Sequence, residues 1–460
     1  MNAYHLVVRR GLVVGGAAAA VADIGVHHGR IAQLGGAMSG AREIDAADHL
    51  VLPGGVDAHV HLTPARRSPE REPAWVDDLT TGSAAALAGG ITTLGNMTFL
   101  QDGELPLGGL EREAGLVSEQ AIADFILHPV VREPTPEALD QIPVLRERGH
   151  SSIKFFMVMP EFDRRAAEFL EATARAGAAG LMTMIHCEDH AIIDRATRQL
   201  LAAGRGGLRH YAESRPVISE VVATERAVAF ADASGAPVYI VHLSAARALE
   251  ACRRAQAAGL PVFVETRPLY LHLTSERFEE SDGAKYVGQP PLREAGDVAA
   301  LWAGMRQGCV HTVCSDHAPW SLAAKLDPEL SVAHLRPGVE NLETQLPMLY
   351  SEGVRAGRLS LEQFVALTST NAAKLFGLYP RKGCIAVGSD ADLTVFDPRT
   401  TRTVGAPRFS RCDYSAYAGW QVTGWPVLVI RRGEVVFDHG QITAPPGSGR
   451  LIPCQATRAL

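Results

Sequence analysis

Eight times between residues 51 and 316 the sequence passes through the same two-part unit, an apolar stretch of strand length and then an alanine-rich stretch with helical spacing. The apolar stretches are residues 51–61, 91–97, 125–130, 152–158, 181–186, 238–243, 262–265 and 310–316. Uninterrupted apolar runs fit strands covered on both faces, and parallel strands need crossover helices to join them. Eight such units suggest a (β/α)8 barrel. An open doubly wound sheet is the competing architecture, but no glycine-rich dinucleotide fingerprint follows the first strand.

The two ends of the chain have a different texture. Residues 4–50 alternate short β-like pieces with glycine-rich turns, and the same pattern returns at 385–388, 392–396 and 427–436, with Gly433 at a turn. The expected organisation is therefore a small β-sandwich domain built from both ends, residues 1–52 and 384–440. It flanks a barrel over 53–383, with a tail at 441–460. At 460 residues and 47% hydrophobic content the chain can bury a core of that size.

Charge and cysteine usage narrow the partner. A net charge of −7 gives no basic footprint for nucleic acid or anionic lipid, which leaves a small molecule as the expected partner. Seven cysteines without a CxxC pair argue against a disulfide framework and for a reducing cytoplasm. Arg9-Arg10 and the glycines and alanines after it imitate an export signal, yet they also read as strand, turn, strand, which is the expectation kept here. No apolar run approaches the ~20 residues of a membrane helix.

Chemistry gathers where the expected strands end. In His59-Val60-His61 the histidines flank one valine, so on a strand they project to the same side and can grip one cation. His186 closes the fifth stretch, His242 lies near the end of the sixth, Asp316 closes the eighth, and Lys154 sits inside the fourth. The C-terminal rim of a barrel is where such enzymes keep their active sites. Taken singly, a histidine here could be a core residue, Lys154 a snorkelling rim lysine and Asp316 a helix cap. Together they read as a site for Zn²⁺, with Mn²⁺, Fe²⁺ or Co²⁺ as alternatives.

Over nearly its whole length the sequence resembles the cyclic amidohydrolases, a family that includes dihydropyrimidinases, hydantoinases, allantoinases and dihydroorotases. The likeness is carried by Pro53-Gly54-Gly55-Val56-Asp57-Ala58-His59-Val60-His61, Gly89-Gly90-Ile91-Thr92-Thr93, Ser151-Ser152-Ile153-Lys154, His186-Cys187-Glu188 and Val238-Tyr239-Ile240-Val241-His242. Pro290-Pro291-Leu292-Arg293, Ser315-Asp316-His317-Ala318-Pro319, the segment 374–383 and Gly388-Ser389-Asp390-Ala391-Asp392 extend it. The resemblance implies that Lys154 is carboxylated by CO2 to N6-carboxylysine and bridges two divalent ions. His59, His61, Lys154 and Asp316 would then hold one ion, and Lys154, His186 and His242 the other. It also implies a hydroxide between the ions as nucleophile, Asp316 as general base and then acid, and a homotetramer.

Substrate selection is where this chain departs from that pattern. A tyrosine usual five residues beyond the metal lysine is Met159 here, and a serine usual before the Pro-Pro-Leu-Arg segment is Gln289. The arginine with which dihydroorotases grip a carboxylate is replaced by Thr63, although residues 336–344 look like a dihydroorotase substrate loop and Arg66 or Arg67 lie nearby. Gln289, Met159, Pro337 and His317 are the expected substrate contacts. The expected reaction is opening of an uncharged hydantoin or dihydropyrimidine ring. Allantoinase is the first alternative, followed by a dihydroorotase-like or cyclic imide hydrolase and a non-catalytic assembly protein of the same fold.

Overall fold

The computed structural model describes residues 3–15, 19–62, 75–457 and 460. Thr63, Arg66 and Arg67 lie outside them. Eight strands run parallel in sequential order: β1 (Gly55–Val60), β2 (Ile91–Phe99), β3 (Asp124–Val130), β4 (Ser152–Phe156), β5 (Met182–His186), β6 (Val238–Ile240), β7 (Val262–Thr266) and β8 (Thr312–Val313). The ring closes just beyond β8, where Val60 bridges His317 and the His61 amide donates to the His317 carbonyl at 2.8 Å. Asp57 reinforces the seam by accepting from the Ser315 amide at 2.9 Å and from the His59 amide at 3.0 Å. Every side chain of β1, β3 and β5 is buried, as strands covered on both faces require.

A nine-stranded sheet from the two chain ends packs beside the barrel. Its halves meet where Leu50–Pro53 pairs antiparallel with Leu393–Thr403, in register from Leu50 opposite Phe396 to Pro53 opposite Leu393. The expected single strand over 51–61 is therefore two strands in two sheets, and the crossing point is Gly54. A Cβ at Gly54 would sit 2.3 Å from Thr92 Oγ1, so this close passage needs a glycine. Residues 385–388, read from sequence as a strand, form an irregular turn instead. The Pro-rich tail docks under the barrel. Ile452 donates to the Phe125 carbonyl and Phe125 to that of Arg450, both at 2.8 Å, and Ile452 is buried.

A buried ion cluster joins the two sheets. Lys382 Nζ donates to Asp124 Oδ2 at the base of β3 (2.7 Å) and to Asp392 Oδ2 beside the outer sheet (2.6 Å), with the lysine side chain 1% exposed. Removing one partner from a buried cluster strands the charges left behind. Lys382→Ala should therefore lower unfolding free energy by about 3–5 kcal/mol. Chemical denaturation would show this as a shifted midpoint at constant slope, and a shift near zero would mean the cluster holds nothing together.

Candidate metal centre

Two histidine pairs, one carboxylate and one lysine converge at the C-terminal rim. His59, the fifth residue of β1, and His61, just past its end, turn their Nε2 atoms to within 3.2 Å of each other. Asp316 Oδ1 lies 3.4 Å from His59 Nε2 and 3.2 Å from His61 Nε2. The ligand atoms of these three buried residues all fall within 4.8 Å of one another. Across the mouth, His186 Nδ1 faces His242 Nε2 at 3.0 Å, and the His59 and His242 rings are 5.4 Å apart between centroids.

Backbone shape aims two of these side chains. His242 and Asp316 were expected within their strands, but β6 stops at Ile240 and β8 at Val313. Both residues sit in the turns that follow, at φ 38° and 47°. Such left-handed backbone costs a non-glycine residue roughly 1–3 kcal/mol and persists where surrounding structure enforces it. Here it swings each side chain inward over the mouth.

The imidazoles are oriented from behind. Glu265, on β7, accepts from His59 Nδ1 at 2.8 Å, which leaves the Nε2 lone pair for the centre. The same carboxylate accepts from the His242 amide at 2.8 Å and from the Tyr239 hydroxyl at 2.9 Å. Glu188 Oε2 accepts from His186 Nε2 at 2.8 Å and is itself bound by Arg215, so His186 presents Nδ1. Carboxylate partners of this kind fix tautomer and ring angle. Glu265→Gln should therefore weaken divalent metal binding about 10- to 100-fold in a chelator-competition titration. Unchanged affinity would remove Glu265 from the centre's support.

Lys154 stands in the middle of β4 with its side chain wholly buried. Its Nζ has no hydrogen-bond partner among the described residues and rests 4.8 Å from the Phe156 ring centroid. Burial pushes its ammonium down to about 8, with Glu265 and Asp316 opposing. Burial likewise pushes His61 down to about 4 and lowers His186 and His242, while His59 and Arg267 hold the Asp316 carboxyl below its usual range against the cost of burial. The cavity thus favours neutral imidazoles at His61, His186 and His242 and an ionised aspartate, the protonation states in which these groups bind cations.

One wall of the mouth is aromatic. Trp320, Trp75, Phe99 and Phe156 follow one another at centroid spacings of 6.4, 5.8 and 6.0 Å, ending against His186 at 5.6 Å. Among the expected substrate contacts, Met159 caps the helix Pro160–Arg164 and Gln289 precedes a cis proline, both half-buried. The Pro337 carbonyl accepts from Trp320 Nε1 at 2.7 Å. His317 is fully buried, with Nε2 on Asp77 at 2.8 Å and Nδ1 facing the Asn341 amide, so its ring serves the barrel seam.

Comparison with known proteins agrees with this architecture. The amidohydrolase family model matches residues 50–436. A D-hydantoinase of Ralstonia pickettii is 34% identical over 97% of this chain and 98% of its own length, and a D-phenylhydantoinase of Escherichia coli is 35% identical over the same shares. Among solved structures, the dihydropyrimidinase of Brevibacillus agri superposes with a TM-score of 0.93 at 32% identity, over 99% of each chain. The L-hydantoinase of Arthrobacter aurescens gives 0.88 at 30% identity, over 98% of this chain and 100% of its own. A barrel with histidine pairs at its rim, matched from end to end by these relatives, belongs to the amidohydrolase family, in its hydantoinase and dihydropyrimidinase branch.

Proposed function

We propose that this enzyme opens a cyclic amide, a hydantoin or dihydropyrimidine ring, by metal-dependent hydrolysis of a ring carbon–nitrogen bond. The observation that supports the reading is the close approach of His59, His61 and Asp316, together with the facing pair His186 and His242 and the buried Nζ of Lys154, which has no hydrogen-bond partner among the described residues. These donors fit divalent cations. Four buried imidazoles and one carboxylate suit Zn²⁺ best, with Mn²⁺, Fe²⁺ or Co²⁺ as further candidates. His59, His61 and Asp316 would hold one ion and His186 and His242 a second.

Lys154 fits the shared position only after its amine takes up CO2, releasing a proton and becoming an anionic carbamate. A free ammonium offers no lone pair, and an uncompensated one is costly to bury. When bound, the ions polarise a carbonyl oxygen and make water a competent nucleophile at neutral pH. The chain supplies the rest. Glu265 and Glu188 hold the imidazoles in register, and the aromatic wall from Trp75 to Phe156 excludes bulk water and offers a face to the ring. Asp316 takes a proton from the attacking water and returns it to the departing ring nitrogen.

Hydantoin, 5-substituted hydantoins, dihydrouracil and allantoin, offered in parallel, test the reading. Opening of hydantoins or dihydrouracil is expected, and turnover of allantoin alone would contradict it. No helix among the described residues is long and apolar enough to cross a membrane. All seven cysteines are free thiols, which supports a reducing compartment, the cytoplasm, as the site of action. We carry a homotetramer from the resemblance, and sedimentation velocity reads the copy number directly.

A further inference from the structure

Arg267 is the residue the mechanism leaves unused. It follows β7 directly, is wholly buried, and gives one Nη1 hydrogen bond to Asp316 Oδ2. Its Nε and Nη2 have no hydrogen-bond partner among the described residues. These two donors form one edge of the guanidinium, the fork that a carboxylate fills with two parallel hydrogen bonds. Tyr270 holds the group in place, with the guanidinium carbon 4.4 Å from the ring centroid. On its other side lies Gly288, where a Cβ would fall 1.8 Å from Nη2, so the segment that leads into Gln289 is shaped around this cation.

The neighbouring buried cations are treated differently. Lys325 Nζ gives its three hydrogens to the carbonyls of Val287, Arg336 and Gly338. Arg215 and Arg293 are each matched to a buried glutamate, Glu188 and Glu220. Arg431 also has spare donors, but it lies on the outer sheet, where its Nη1 donates to the Ile122 carbonyl. Among the described residues, Asp316 is the one carboxylate hydrogen-bonded to Arg267, and it is also the carboxylate of the metal centre. A single carboxylate cannot neutralise both a guanidinium and a divalent cation, and a buried charge left unpaired is expensive. Among the described residues, the loaded site therefore lacks an anion on the Arg267 side.

We propose that Arg267 anchors the substrate, and that the ring this enzyme opens carries a carboxylate on or next to it. The inference rests on the ring-opening reading and names its substrate class. Anchored at Arg267, on the arc of the rim formed by β7 and β8, such a ring sits between Asp316 and the aromatic wall. The absence of an arginine at Thr63 suggested uncharged rings; the cation comes instead from the seventh strand.

The test uses the metal-loaded enzyme and matched pairs of probes. Hydantoin-5-acetate and its carboxamide are compared as substrates. Uracil-6-carboxylate and its carboxamide, planar rings that resist opening, are compared as ligands by calorimetry. The acid of each pair is expected to be favoured at least about tenfold, in kcat/KM and in Kd respectively. In Arg267→Gln, and independently in Gly288→Ala, both ratios should fall to about one. Equal use of acid and amide by the unaltered enzyme would overturn the inference while leaving ring opening intact. Equal loss of acid and amide in Arg267→Gln would overturn it as well. No opening of any ring, charged or neutral, would instead overturn the ring-opening reading, and this inference with it.

Discussion

Lys154→Ala should lose its divalent metal and its ring-opening activity together. The side chain is wholly buried in the fourth barrel strand, and its Nζ has no hydrogen-bond partner among the described residues. Such an orphaned polar atom costs about 1–3 kcal/mol unless something absent from the protein chain satisfies it. The proposed carbamate, shared between two cations, would do so, and alanine can form none. Loss of a group that helps hold both ions should lower kcat/KM by at least about three orders of magnitude, equivalent to roughly 4 kcal/mol of transition-state stabilisation. Metal analysis of the purified variant and a hydrolysis assay at saturating metal read the two losses separately. A variant that keeps both ions tightly, or opens rings at the original rate, would show that Lys154 is a packing residue.

Asp316→Asn tests the proton transfer. Asp316 Oδ1 faces the two Nε2 atoms of His59 and His61, and Oδ2 faces Arg267. Asparagine keeps the shape and loses the capacity to accept and return a proton. Positioned acid–base groups contribute about 10²–10⁴-fold, so kcat should fall by that amount at saturating metal. KM for a neutral ring should change far less, because proton transfer belongs to the transition state. A parallel rise in KM with kcat preserved would make Asp316 a binding group and move the acid–base role elsewhere.

Much of this site is legible in the sequence because strand alternation is a strong rule. His59 and His61 share a face by their spacing, and His186 ends an apolar run that can only be a buried strand. The same rule points to residues passed over. Glu265 and Arg267 close the apolar run that starts at Val262, as His186 closes the run at 181–186. A charged residue at that place is as strong a signal as a histidine. Other features leave no mark in a single sequence. The division of residues 51–61 between two sheets depends on pairing with Leu393–Thr403, far away in the chain. The left-handed backbone at His242 and Asp316 is enforced by surrounding structure, and the docking of the tail comes from backbone hydrogen bonds to Phe125, Gly149 and Gly377. His317 looks like a substrate contact by its neighbours, yet three-dimensional packing gives its ring to Asp77.

The stoichiometry of divalent metal per chain, measured by plasma mass spectrometry on the folded, unaltered protein after supply of Zn²⁺, Mn²⁺, Fe²⁺ or Co²⁺, is the most direct test. Two ions per chain are expected, with ring opening abolished by a chelator and restored on reloading. A folded protein that takes up none of these ions, or opens rings equally well without them, would contradict the account.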